Sequence, residues 1–255
     1  MSRPRGIDHF LGHLKGLESE YVVIGGGAAA ILMDQEGLEF RATRDVDLVL
    51  LTNASVALNA RISDYIQLGG FKIKEATEGT PKYFRFRDPD DVAFPEMIEI
   101  FARNEQKIEL VEGQYIIPVQ NDTLARISAI LLDDEYFSII KANCIRGGSG
   151  VSIINALGNI CLKARAHREM SERKALGEQV DEKDIKKHRN DILRIAVMLK
   201  GDERLVLGLR PKTDLKMAID KLREMPADQY KNLMKPYPGT KQSELLTLIE
   251  LVFLG

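Results

Sequence analysis

The chain has 255 residues, enough for one large domain or two modest ones with a buried core. It is 44% hydrophobic and 29% charged, an ordinary globular composition. No apolar run approaches the roughly 18 residues of a membrane span. A net charge of -2 argues against a dedicated nucleic-acid binder but leaves room for a local basic face.

In chain order, the opening MSRPRGIDHF carries charges with no apolar core of signal-peptide length behind it. Cys144 and Cys161 form neither a metal-type spacing nor a disulfide framework. The expected compartment is therefore the reducing cytoplasm, without membrane attachment. Tyr-Val-Val-Ile-Gly over 21–25 reads as a short buried strand. Gly26 and Gly27 follow, and an alanine-rich helix then closes near Gly37. After the polar stretch 41–44, residues 45–51 read as a second strand, with its acids first and its apolar run after.

Residues 54–68 fit an amphipathic helix closed by Gly69-Gly70. Segments 71–74 and 83–87 alternate like strands, and 97–101 is an apolar strand carrying one acid, Glu99. A hairpin is expected over 107–119, turning near Glu112-Gly113, and a helix from Asn121 or Asp122 through Leu132. Residues 140–153 read as irregular around Gly147-Gly148-Ser149-Gly150. Helices are expected over 154–170, 182–200, 214–224 and 242–254. The fold class is α+β: an N-terminal mixed β-sheet with flanking helices, then a C-terminal helical domain. The boundary falls near 120, giving 1–120 and 121–255.

Asp45 and Asp47 are two apart on a strand, so both carboxylates project to one side. If the strand of Glu99 is a neighbour, three carboxylates converge. Like charges about 4 Å apart repel by roughly 4 kcal/mol at an effective dielectric near 20. A divalent cation relieves that repulsion, and hard oxygen donors suit Mg²⁺. Such a site supports phosphoryl displacement by positioning and charge neutralisation. Taken alone, Asp-x-Asp also reads as a solvated strand end, and Glu99 as an edge-strand acid.

The turn Gly25-Gly26-Gly27 lets the backbone approach a phosphate at a helix N-terminus, or simply packs helix on strand. Gly25-x-Gly27-x-x-Ala30 also matches a dinucleotide fingerprint, with Asp45 at about the distance of a ribose-binding acid. Position speaks against that oxidoreductase reading. Its acid should end an apolar strand, whereas here 38–44 is polar and the apolar run follows the acids.

The order glycine turn, short helix, Arg41-x-Thr43-x-Asp45-Val46-Asp47-Leu48, then Glu99 between isoleucines resembles the polymerase-beta-type nucleotidyltransferase superfamily. The look-alike branch is the AbiEii-like one, with its abortive-infection and toxin–antitoxin nucleotidyltransferases. Lys163, in Leu162-Lys163-Ala164-Arg165-Ala166, looks like that branch's helix lysine. Lys183-Asp184-Ile185-x-x-His188-x-x-Asp191-Ile192 looks like its late Lys-Asp element at wider spacing. The gap from the glycines to Asp45 is longer than usual, and glycine stands where many members have serine.

The resemblance implies transfer of a nucleoside monophosphate from a nucleoside triphosphate to an RNA end, a protein hydroxyl or a small molecule. Asp45, Asp47 and Glu99 would hold Mg²⁺, with Glu99 also a candidate general base. Gly25, Gly26, Gly27, Arg41, Thr43 and Lys163 would contact the nucleotide, and Asp184 would assist. An antitoxin protein would be a partner if the chain is a toxin. The alternative is a non-catalytic nucleotide-binding or partner-binding module.

Residues 163–189 hold nine Lys or Arg against six Asp or Glu, with His167 and His188 besides. Most of these fit a solvated helix pair with i,i+4 charges. Lys163 is singled out because it borders the apolar helical face running from Ile154 to Leu162.

Overall fold

The computed structural model describes residues 3–52, 54–75, 83–101, 117–118, 133–147 and 150–255. The chain divides into two compact units, Met1–Asn155 and Ala156–Gly255. The architecture is α+β, a mixed sheet with helices followed by a helical unit.

The first unit is organised by its central strands. In β1 (Tyr21–Ile24) every residue is buried, so an apolar run with no polar face lies in the middle of the sheet. It pairs antiparallel with β2 (Asp45–Leu50), Ile24 opposite Asp47. On the other edge of β2, β5 (Met97–Phe101) runs parallel, with Asp47 opposite Glu99. Beyond it come β4 (Tyr83–Arg87), β3 (Lys72–Glu75) and the two-residue β6 (Ile117–Pro118). On the far side of β1 lies the hairpin of β7 (Cys144–Arg146) and β8 (Ser152–Ile154), giving the order β6-β3-β4-β5-β2-β1-β8-β7.

Among the described residues, four helices accompany the sheet. Helix α1 (Ile7–His13) packs on α3 (Val56–Leu68), where Tyr65 meets the rings of Phe10 and Phe94 at centroid distances of 4.9 and 5.0 Å. The α3 N-terminus is capped by Ser55 Oγ, which accepts from Leu58 N at 3.1 Å. Helix α2 (Gly25–Gln35) starts directly from β1 and packs on β1 and β2. Helix α4 (Asp134–Ala142) starts at Asp133, whose carboxylate accepts from Glu135 N, and buries Tyr136, Phe137, Ile139 and Ile140.

Two expectations change here. Residues 140–153, read as irregular, are the end of α4 and the β7–β8 hairpin, whose turn is closed by Gly147 N donating to Val151 O at 2.8 Å. Three-residue strands are too short for an alternating pattern to show. Because β8 joins the sheet beside β1, the units divide after Asn155 rather than near residue 120. The hairpin expected over 107–119 lies outside the described residues except for 117–118, and the helix expected to run through Leu132 lies wholly outside them.

The second unit contains α5 (Ala156–Ala175), α6 (Glu182–Ala196), α7 (Leu209–Arg223), α8 (Ala227–Leu233) and α9 (Gln242–Phe253). Helix α5 packs along α6 and α7. Its apolar centre includes Ile160, Ile192, Ile195, Leu215, Ile219 and Ile249. Five polar residues are buried with them: Asn159, Lys163, His167, Asp191 and Asp214. Among the described residues no helix is long and apolar enough to cross a membrane.

Candidate active site

The strand register assembles the acids. Residues opposite one another across strands face the same way. Asp47 of β2, Glu99 of β5 and Arg85 of β4 therefore form one charged row on one face of the sheet. Asp45, two residues before Asp47, shares that face. Glu99 is 7% exposed and is held by Arg85, whose Nε donates to Glu99 Oε1 at 2.7 Å and whose Nη2 lies 2.5 Å from the same oxygen. A guanidinium so placed neutralises the nearly buried carboxylate.

The glycine turn closes the row from the β1 side. Gly25 has φ +68°, a left-handed conformation that side chains disfavour, and a Cβ there would lie 2.3 Å from Asp47 Oδ2. A Cβ on Gly26 would lie 2.6 Å from Thr43 Oγ1. Gly27 is different, since its Cβ would meet Ile7 Cδ1 at 3.4 Å, an ordinary contact. The first glycine thus lets the start of α2 close on Asp47, the second closes on Thr43, and the third only packs. The α2 N-cap residue is Ile24, whose apolar side chain makes no capping hydrogen bond. Arg41 donates to Ala42 O at 3.1 Å, its guanidinium 5.3 Å from the Phe40 ring centre.

The donor set bears directly on a metal. Asp45 and Asp47 offer hard oxygens of the kind Mg²⁺ takes, so the pair fits a divalent cation. The expected three-acid set does not fit as it stands, because Arg85 engages Glu99. Among the described residues no three His, Cys, Asp or Glu side chains are grouped to hold an ion. Sequence reasoning missed Arg85. Its alternation in Tyr-Phe-Arg-Phe-Arg was visible, but the strand it pairs with was not.

The oxidoreductase alternative also fails on topology. Its fingerprint requires a parallel strand–helix–strand unit, and β1 and β2 are antiparallel.

The two remaining site candidates lie in the helical unit, each engaged there. Lys163 Nζ is 3.1 Å from Asp191 Oδ2, with side chains 6% and 0% exposed. Lys163, read as bordering an apolar helical face, is itself a buried residue. Asp184 lies at the half-exposed start of α6, 3.3 Å from Lys187 Nζ.

No family model and no curated protein matches the chain. Among solved structures, a cytoplasmic RNA terminal U-transferase matches at 16% identity and a TM-score of 0.26, covering 52% of this chain and 36% of the other. The RNA terminal uridylyl transferase Cid1 matches at 15% and 0.25, covering 52% and 35%. The Megavirus polyadenylate synthase matches at 9% and 0.34, covering 94% and 51%. The chain thus spans between about a third and a half of those structures' length. All three are nucleotidyl-transferring enzymes by name, and none belongs by name to the abortive-infection branch. At these scores the overlap is partial, and the functional reading rests on the site's own geometry.

Proposed function

We propose that the chain is a nucleotidyltransferase. It joins an acceptor oxygen to the α-phosphorus of a nucleoside triphosphate. The bond from that phosphorus to the β-phosphate bridge breaks, and pyrophosphate leaves. The observation that carries this reading is the register row Asp47–Glu99–Arg85, closed by the Gly25 turn. Asp45 and Asp47 would hold the divalent cation, expected to be Mg²⁺. Such a cation neutralises triphosphate charge when bound. The turn at Gly25 and Gly26, with Thr43 beside it, offers the phosphates room at a helix N-terminus, and Arg41 would join them by the family's pattern. The acceptor proton passes to a carboxylate of the row, Glu99 by the family's pattern. Lys163 and Asp184 contribute toward the triphosphate only if they leave their partners in the helical unit. By the same resemblance the transfer serves as the toxin of a toxin–antitoxin pair, which growth arrest on expression would test.

The Arg85–Glu99 pair favours a second reading, a nucleotide-binding module without transfer, since one acid of the row is already neutralised. One experiment separates the two. The purified chain is incubated with each α-radiolabelled ribonucleoside triphosphate, Mg²⁺, and either RNA or protein acceptors. Transfer predicts labelled acceptor that Asp47→Asn abolishes without loss of fold. Triphosphate binding with no label on any acceptor establishes the binding module instead. Label unaffected by Asp47→Asn refutes the site.

A further inference from the structure

The helical unit contains a cavity of about 470 Å³, within the range of small-molecule sites. Three helices line it, each with residues at helical spacing. His167, Ser171 and Lys174 come from α5, Glu182, Ile185 and Arg189 from α6, and Met217, Lys221 and Glu224 from α7. The transfer chemistry proposed above uses none of these residues.

The charges around the cavity are unequally satisfied. Glu182 is ion-paired with Lys174 and stands 3.8 Å from Lys186 Nζ. Glu224 is held by Lys221 Nζ at 2.8 Å. Arg189 has no such partner: its Nε and Nη2 both reach only the side-chain oxygen of its neighbour Asn190, at 3.3 Å, and it makes no ion pair among the described residues. It is half-buried, and burial pulls its proton affinity below the usual arginine value. An arginine withdrawn from water with its fork largely unused suits a planar or tetrahedral oxyanion.

A second group adds a different requirement. His167 is buried, and its Nδ1 lies 3.2 Å from the carbonyl oxygen of Ile185. That contact makes Nδ1 the donor and leaves Nε2 as an acceptor. Burial, with Arg189 and Lys221 nearby, holds the ring below its ordinary pKa and so neutral. The cavity therefore combines an anion-seeking fork with a neutral acceptor, and Ile185 and Met217 give it apolar wall.

We propose that this cavity binds a phosphate monoester of nucleotide size, its phosphate on Arg189 with Lys186 and Lys221 on the walls, and a hydroxyl or N–H of its organic part donated to His167 Nε2. Inorganic phosphate fills only the anionic half. A sugar phosphate and a nucleoside monophosphate fill both.

The test is calorimetric titration of the full chain without added divalent cation, using inorganic phosphate, ribose 5-phosphate, AMP and CMP as probes. Organic phosphates should bind with a dissociation constant of about 1 mM or tighter, and inorganic phosphate more weakly. Nucleotides tighter than ribose 5-phosphate identify a nucleotide site, and equal affinity identifies a sugar-phosphate site. Arg189→Gln should weaken binding by about tenfold or more through loss of the charge-assisted contacts. The exposed Lys221→Glu should do likewise, and serves if Arg189→Gln does not fold. Asp47→Asn, which tests the sheet site, should leave this binding unchanged. Absence of saturable binding up to about 10 mM overturns the proposal. So does binding that Asp47→Asn abolishes while Arg189→Gln spares it. Neither result depends on whether the chain transfers nucleotides.

Discussion

Lys163→Met tests whether the buried lysine is structural. The substitution keeps the stem and removes an ammonium 3.1 Å from the fully buried Asp191 carboxylate. At that distance the attraction is about 5 kcal/mol for an effective dielectric near 20. Desolvation of the lysine offsets part of it, and breaking a buried pair typically costs about 3–5 kcal/mol. Arg194 Nη1, 3.1 Å from Asp191 Oδ1, stays to hold the carboxylate. The expected loss is therefore about 2–4 kcal/mol. Urea unfolding of the full chain, followed by far-ultraviolet circular dichroism, measures it. Asp191→Leu should cost at least as much, because it removes the carboxylate that faces both Lys163 and Arg194. The double variant should be less destabilised than the sum of the two by about 1.5 kcal/mol or more. A Lys163→Met protein within about 0.5 kcal/mol of the parent would refute a structural pair. If transfer were lost in the same protein, the lysine would belong to the triphosphate.

The glycines of the turn should separate by position. Gly25→Ala adds left-handed strain of about 1–2 kcal/mol and drives a methyl into Asp47, whereas Gly27→Ala should be neutral or stabilising, and thermal midpoints distinguish them. Arg85→Met leaves Glu99 nearly buried beside Asp47 without its guanidinium and should cost about 2–4 kcal/mol. Added Mg²⁺ should raise the melting temperature of that variant more than that of the parent, and equal shifts would place the cation elsewhere. His167 gives a pH signature. Its folded pKa is depressed by burial, so the unfolded chain takes up the proton first. Stability should be full above about pH 6.5 and fall as pH drops through that value, levelling off below the folded pKa. His167→Gln should flatten the decline, and an unchanged slope would assign it to other groups.

Much of this molecule was legible locally. Strand alternation alone puts Asp45 and Asp47 on one face, and helical periodicity located α2, α3, α5, α6, α7 and α9 to within a few residues. Glycines between a strand and a helix marked a close approach before its partner was known. Periodicity says which residues share a face, but not which face they meet. Whether Glu99 stood beside Asp47, and that Arg85 stood beyond it, depended on register between segments far apart in sequence. The antiparallel pairing of β1 with β2, which removes the dinucleotide reading, is likewise a property of the assembled sheet. The strands β7 and β8 are stabilised by joining β1 rather than by any pattern of their own, so the boundary near 155 was invisible in composition. Lys163 lies next to an apolar helical face, and only packing shows that it is buried against Asp191. The cavity around Arg189 is built from three helices, each of which reads alone as a solvated charged face. Sequence determines the local chemistry of each segment, and long-range packing decides which of those chemistries meet.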